Sequence, residues 1–111
     1  MNPGCVVTPQ DSLDEAIRRL VGALHPERIY LFGSRARGDS RSDSDYDLVV
    51  VADLRLDPDE RAYLANRSIR DLGVPIDVLV YTPVEFERLS TWKSSVVAAA
   101  LREGTVVYEA A

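Results

Sequence analysis

Apolar positions return along this chain in two different periods. Leu13, Ile17, Leu20, Val21 and Leu24 recur at intervals of three and four, which is the spacing of one helical face. Ser12, with Glu15 three residues on, forms a capping-box pattern at its start. The pattern therefore predicts a helix from Ser12 to about His25-Pro26. Met1 to Gln10, which hold two prolines and a glycine, read as a mobile lead-in. Short apolar runs then replace the helical period. Arg28 to Phe32, Tyr46 to Val51 and Ile76 to Tyr81 read as strands, the first two apolar enough to be central. Asp57-Pro58-Asp59-Glu60 supplies an N-cap, a proline at the first helical position and an acidic first turn, opening a helix that carries Leu64, Ile69 and Leu72 and stops at Gly73. Thr82-Pro83-Val84-Glu85 repeats that grammar for a short helix through Phe86 and Leu89. A last helix runs from about Ser94 to Glu103, Gly104 ends it, and Thr105 to Tyr108 reads as a closing strand. This order implies a small α/β (α+β) sheet with flanking helices, in one domain over residues 1–111.

Composition narrows the function. A chain of 111 residues holds one domain and leaves no room for a separate substrate-binding domain. The formal charge of -5 disfavours a stable grip on nucleic acid, which needs a basic surface, so nucleotide is a better guess than polynucleotide. Lys93 is the only lysine. The arginines suit bidentate phosphate contacts but equally reflect genomic base composition. The single cysteine, Cys5, excludes an internal disulfide and a cysteine-cluster metal site. With no charged-then-apolar leader and no apolar run of bilayer length, a cytoplasmic protein without membrane attachment is expected.

The chemistry concentrates between Gly33 and Val51, GSRARGDSRSDSDYDLVVV. Asp45 and Asp47 lie two apart at the entry to an apolar strand, a spacing that sends both side chains to one face. Like charges that close raise one another's pKa unless a cation lies between them, and a divalent metal is the natural remedy. Gly33-Ser34, directly after Ile29-Tyr30-Leu31-Phe32, supplies a sharply turning backbone with N–H groups and a hydroxyl for an anion. Metal and phosphate sites would then adjoin. Arg35 and Arg37 either clamp phosphates or balance Asp39 and Asp43 on a wet loop. His25, before a proline at a helix end, needs only a capping role, and Cys5 reads as inert. Packing, in a core or an interface, is the commoner fate of aromatics such as Trp92 and Tyr81.

Gly33-Ser34, ten intervening residues and Asp45-Tyr46-Asp47 together resemble the active-site signature of nucleotidyltransferases related to DNA polymerase beta. The longer GSRARG…SDSDYDLVV is similar to their smallest branch, the minimal nucleotidyltransferases or MNT proteins, antitoxins of HEPN/MNT toxin–antitoxin modules. Pro75 to Val80, followed by Tyr81-Thr82-Pro83, is similar to the segment that carries the family's third carboxylate. The resemblance implies the small mixed β-sheet with flanking helices of the polymerase beta-like nucleotidyltransferase fold, with Asp45, Asp47 and Asp77 as catalytic residues and ligands of two magnesium ions. It implies nucleotide contacts at Gly33, Ser34, Arg35 and Arg37, and ATP as substrate. Asp77 would be the general base for the acceptor hydroxyl. The expected activity is magnesium-dependent transfer of AMP from ATP to a hydroxyl, with a tyrosine of a HEPN-domain toxin as the favoured acceptor. Two other readings stay open: an antitoxin that blocks its toxin by contact, and a subunit of a small-molecule (antibiotic) transferase. A transferase this small should expose an apolar patch for a partner or for a second copy of itself, with Val96, Val97, Ala100 and Leu101 as the candidates.

Overall fold

In the computed structural model, which describes residues 9–32, 46–72 and 76–110, each apolar run becomes an element of its expected type. Helix α1 spans Pro9–Leu24, strand β1 Arg28–Phe32, strand β2 Tyr46–Val51 and helix α2 Pro58–Ser68. Strand β3 follows at Ile76–Tyr81, then helices α3 at Pro83–Ser90 and α4 at Val96–Glu103, and strand β4 at Thr105–Glu109. The sheet order is β3-β2-β1-β4. β1 runs antiparallel to both β2 and β4, whereas β2 and β3 are parallel. A parallel pair needs a crossover, and α2 supplies it. The result is the sheet with flanking helices that the pattern predicts, mixed as the resemblance implies. Among the described residues, no helix is long and apolar enough to cross a membrane.

The unbroken apolar run of β2 is explained by cover on both faces. Leu48, Val49, Val50 and Val51 are each fully buried. Tyr46, Leu48 and Val50 pack with Leu13, Ala16 and Leu20 of α1 and Ala65 of α2. Val49 and Val51 pack on the opposite face with Tyr30, Phe86 of α3, and Val97 and Ala100 of α4. Each such side chain contributes roughly 1.5–3 kcal/mol of transfer free energy. The odd-numbered residues of β2 therefore face α3 and α4. The same packing corrects the apolar patch expected on α4: Val97 and Ala100 belong to the core, and only Val96 and Leu101 of that set are exposed.

The helix termini show where local grammar held and where tertiary contacts overrode it. Thr82 and Glu85 form a complete capping box at α3, Asp57 caps α2 by accepting from the Glu60 N–H at 2.9 Å, and Ser95 caps α4. The Ser12–Glu15 capping box does not form. The chain is already helical at Pro9, so Pro9 and Gln10 leave the expected lead-in and join α1. Ser12 is buried inside the helix, and its hydroxyl donates to the Leu72 carbonyl at 3.0 Å, tying α1 to the segment after α2. Glu15 instead meets Arg18 and Arg19, which hold its carboxyl below the usual range, Arg18 contributing most. α2 also ends earlier than expected, at Ser68. Ile69 then enters the core, and Asp71 takes a left-handed φ of 73°, a conformation aspartate tolerates better than most residues.

Gly104 ends α4 where backbones crowd. A Cβ there would lie 2.5 Å from the Ala100 carbonyl oxygen, 3.0 Å from that of Leu31 and 3.2 Å from the Phe32 Cβ. Gly104→Ala should therefore destabilise by about 1–3 kcal/mol, because the obstruction is mostly main chain and cannot swing away. Thermal unfolding followed by circular dichroism checks this; an unchanged midpoint would mean that the α4–β4 junction yields easily.

Candidate active site

Sheet register brings two of the three expected acids together. Phe32 of β1 pairs with Asp47 of β2, and Asp47 pairs with Asp77 of β3. Paired residues on neighbouring strands project to one face, with backbones about 4.8 Å apart. The first row across the sheet is thus Phe32–Asp47–Asp77. Two rows follow on the same face: Tyr30–Val49–Leu79, then Arg28–Val51–Tyr81. Cover falls off along these rows. Val49 and Val51 lie fully buried under the α3/α4 layer, Asp47 is half-buried and Asp77 is exposed. The helical layer stops short of the acids and leaves them reachable.

Side-by-side carboxylates on adjacent strands repel, and a shared cation is the compensation their chemistry suits. Carboxylate oxygens are hard donors of the kind magnesium takes. Asp45, Gly33, Ser34, Arg35 and Arg37, with Asp39 and Asp43, lie outside the described residues. Among the described residues no group of three His, Cys, Asp or Glu forms a metal site, so Asp47 and Asp77 are the part of the expected ligand set that is in view. Gly33 is bonded to Phe32, so the expected phosphate turn begins from the strand end beside Asp47. A groove of about 580 Å³ lined by Asp53, Arg55 and Val84 opens at the far ends of β2 and β3, away from the acids.

Two clusters brace this face. The Tyr30 and Phe86 rings stack with centroids 5.4 Å apart, and the Arg28 guanidinium lies 5.7 Å and 5.6 Å from them while donating to the Tyr30 hydroxyl at 2.8 Å. Beyond β3, Arg61 of α2 donates to both carboxylate oxygens of Glu85 in α3, at 2.7 Å and 3.0 Å. Arg61 is 2% exposed, and the Arg61 hydrogen bond, more than any other influence, pulls the Glu85 carboxyl down to about 2. Burial, and then the negative Glu85, push the Tyr81 hydroxyl upward. Sequence reading missed this pair, since an arginine in a polar helix turn looks solvated. The available signal was Glu85 at the third position of a capping box, where its carboxylate is held in place. Tyr81 packs partly into the core, whereas Trp92, at 62% exposed, is not a core residue.

A sheet with paired acids at the open edge of its helical cover matches a known domain. The nucleotidyltransferase domain family matches residues 11–104. The chain belongs to that family and is a nucleotidyltransferase. It is 34% identical over 101 residues to a Methanocaldococcus jannaschii protein named, provisionally, a protein adenylyltransferase, an alignment covering 86% of this chain and 97% of the relative. Its fold is shared with a chain of a toxin–antitoxin complex solved with AMP-PNP, at a TM-score of 0.63 and 24% identity over 87% of this chain and 73% of the other. It is shared also with a chain from the Shewanella oneidensis complex of a tri-AMPylated HEPN toxin with its MNT antitoxin, at 0.57 and 21% over 91% and 72%.

Proposed function

We propose that this chain is a magnesium-dependent transferase that moves AMP from ATP onto a hydroxyl, and that its acceptor is a tyrosine of a HEPN-domain toxin, so that it acts as an antitoxin by adenylylation. The observation that carries the reading is the lateral pairing of Asp47 with Asp77 on one open face, in a chain of the nucleotidyltransferase family. The adenylyltransferase name of the archaeal relative and the AMPylated toxin in the Shewanella complex support the choice of AMP and of a protein acceptor. In this reading Gly33, Ser34, Arg35 and Arg37 hold the triphosphate, with Gly33 following directly on Phe32 in the chain. Asp45 and Asp47 take the nucleotide side and Asp77, on the outer strand, the acceptor side. The acceptor oxygen bonds to the α-phosphorus, the bond to the leaving pyrophosphate breaks, and the acceptor's proton passes to Asp77. Asp45, Asp47 and Asp77 are the residues that would hold two magnesium ions, which when bound offset the triphosphate charge and ease deprotonation of the acceptor.

Metal dependence is the first expected result. ATP should bind markedly tighter with magnesium than with chelator, because neighbouring carboxylates repel a bare triphosphate. Calorimetry in both conditions measures it, and equal affinities would remove a metal-bridged site. The decisive assay for the acceptor is the intact mass of a HEPN-domain protein encoded beside this chain after incubation with ATP and magnesium. Added AMP on a tyrosine is expected. If the toxin is silenced without any mass gain, and an Asp47→Asn, Asp77→Asn variant silences it as well, the chain works by contact instead.

A further inference from the structure

Leu79 lies on the sheet face that carries the acids, in the second row, paired with Val49. The partners differ in cover: Val49 is fully buried, whereas Leu79 is 40% exposed. Tyr81, two residues further along β3, packs with the Tyr30–Phe86–Val97 cluster, to which Leu79 does not belong. The α3/α4 layer therefore leaves an opening on β3 made of Asp77 and, about 6.6 Å along the strand on the same face, Leu79. A lone exposed leucine needs no function. What distinguishes Leu79 is its place beside the acid assigned to the acceptor. The order Phe32, Asp47, Asp77 runs from the strand end that leads into Gly33-Ser34 out to β3, an outermost strand of the sheet. In the transferase reading an acceptor reaching Asp77 comes over that outer strand, and among the described residues Leu79 is the exposed apolar side chain two places along β3 on the same face. A phenol spans this distance with a flat apolar ring. A serine or threonine hydroxyl, one carbon from the main chain, cannot.

We infer that Leu79 is the apolar rest for the ring of an aromatic hydroxyl acceptor, and so the residue that favours tyrosine over serine or threonine. This rests on the transferase reading above. The phenolic oxygen bonds to the α-phosphorus as the bond to pyrophosphate breaks, and its proton goes to Asp77; Leu79 takes no part in that step and sets only where the ring lies.

The test uses leucine-methyl-labelled protein loaded with magnesium and a non-hydrolysable ATP analogue, titrated with N-acetyl-tyrosinamide and, separately, N-acetyl-serinamide. The Leu79 methyl resonances should move with the tyrosine probe and not with the serine probe. Leu79→Ala should weaken the tyrosine probe by about fivefold or more with nucleotide affinity unchanged, and Leu79→Met should restore most of the loss. Methyls that ignore the tyrosine probe, or that respond to nucleotide alone, overturn the inference, as does a parallel loss of nucleotide affinity in Leu79→Ala. The transferase reading fails separately. Wild-type protein that binds the tyrosine probe at Leu79 yet transfers no AMP from ATP to it or to a HEPN protein counts against transfer, whereas equal transfer efficiency toward tyrosine in wild type and Leu79→Ala counts against Leu79 alone.

Discussion

Asp77→Asn should bind MgATP within a few fold of wild type and lose single-turnover transfer by about 10²-fold or more, the usual cost of a missing general base, and by more if metal is lost with it. Asp47→Asn should abolish both binding and transfer. The asymmetry follows from position. Asp47 lies on an inner strand, half-buried, beside the Phe32 end that leads into Gly33-Ser34, whereas Asp77 lies exposed on an outer strand. A carboxylate next to the triphosphate matters to ground state and transition state alike, while one whose main task lies on the acceptor side matters chiefly to turnover. Calorimetry with ATP and quenched-flow rates for both variants decide it. Normal turnover by Asp77→Asn would make Asp77 a structural residue of the strand and send the search for the third acid elsewhere, with Asp43 the nearest candidate.

The candidate acids could be picked out of the sequence because the features that single them out are local. A glycine-serine pair after one apolar run and alternate aspartates before another need no knowledge of distant partners, and the strands Arg28–Phe32, Tyr46–Val51 and Ile76–Tyr81 stand where their apolar runs place them. The pairing of Asp47 with Asp77 was not legible, since register depends on how a crossover of some two dozen residues packs. Ser12 failed as a cap for the same kind of reason: its hydroxyl found the Leu72 carbonyl 60 residues away, and a buried hydroxyl with a partner outweighs a local preference. α4 misled through its composition. Val96, Val97, Ala100 and Leu101 are equally apolar on paper, yet only the helix's rotation against Phe86 and Val49 decides that Val97 and Ala100 are core while the other two meet solvent. Gly33, Ser34, Arg35, Arg37 and Asp45 lie outside the described residues, and their roles remain the expectation drawn from their order in the chain.

The largest stability effect should come from the Arg61–Glu85 pair. Arg61→Ala leaves the partly buried Glu85 carboxylate without its guanidinium and should cost about 2–4 kcal/mol, toward the low end of what a broken buried pair loses because Glu85 keeps some contact with water. Arg61→Met paired with Glu85→Gln should cost much less, since it removes both charges and keeps most of the volume. Acid should reveal the same interaction. The Glu85 carboxyl lies at about 2 in the folded chain against an ordinary 4.5. Its contribution is therefore complete above 4.5 and is lost as pH falls from there through 2, a loss of about 2–3 kcal/mol once solvent screening is allowed for. Urea midpoints measured at about pH 7 and again near the lower end of that window should converge for wild type and Glu85→Gln, because the acid has by then removed from one what the substitution removed from the other. Equal midpoints at neutral pH would show that the pair is structurally present but energetically idle. The clamp also bears on the site without entering it. It fastens α2 to α3 around β3, the strand that carries Asp77 and Leu79, so the double variant, measured well below its unfolding temperature, should retain transfer, and a rate loss there that stability does not explain would mean that the pair sets the position of Asp77.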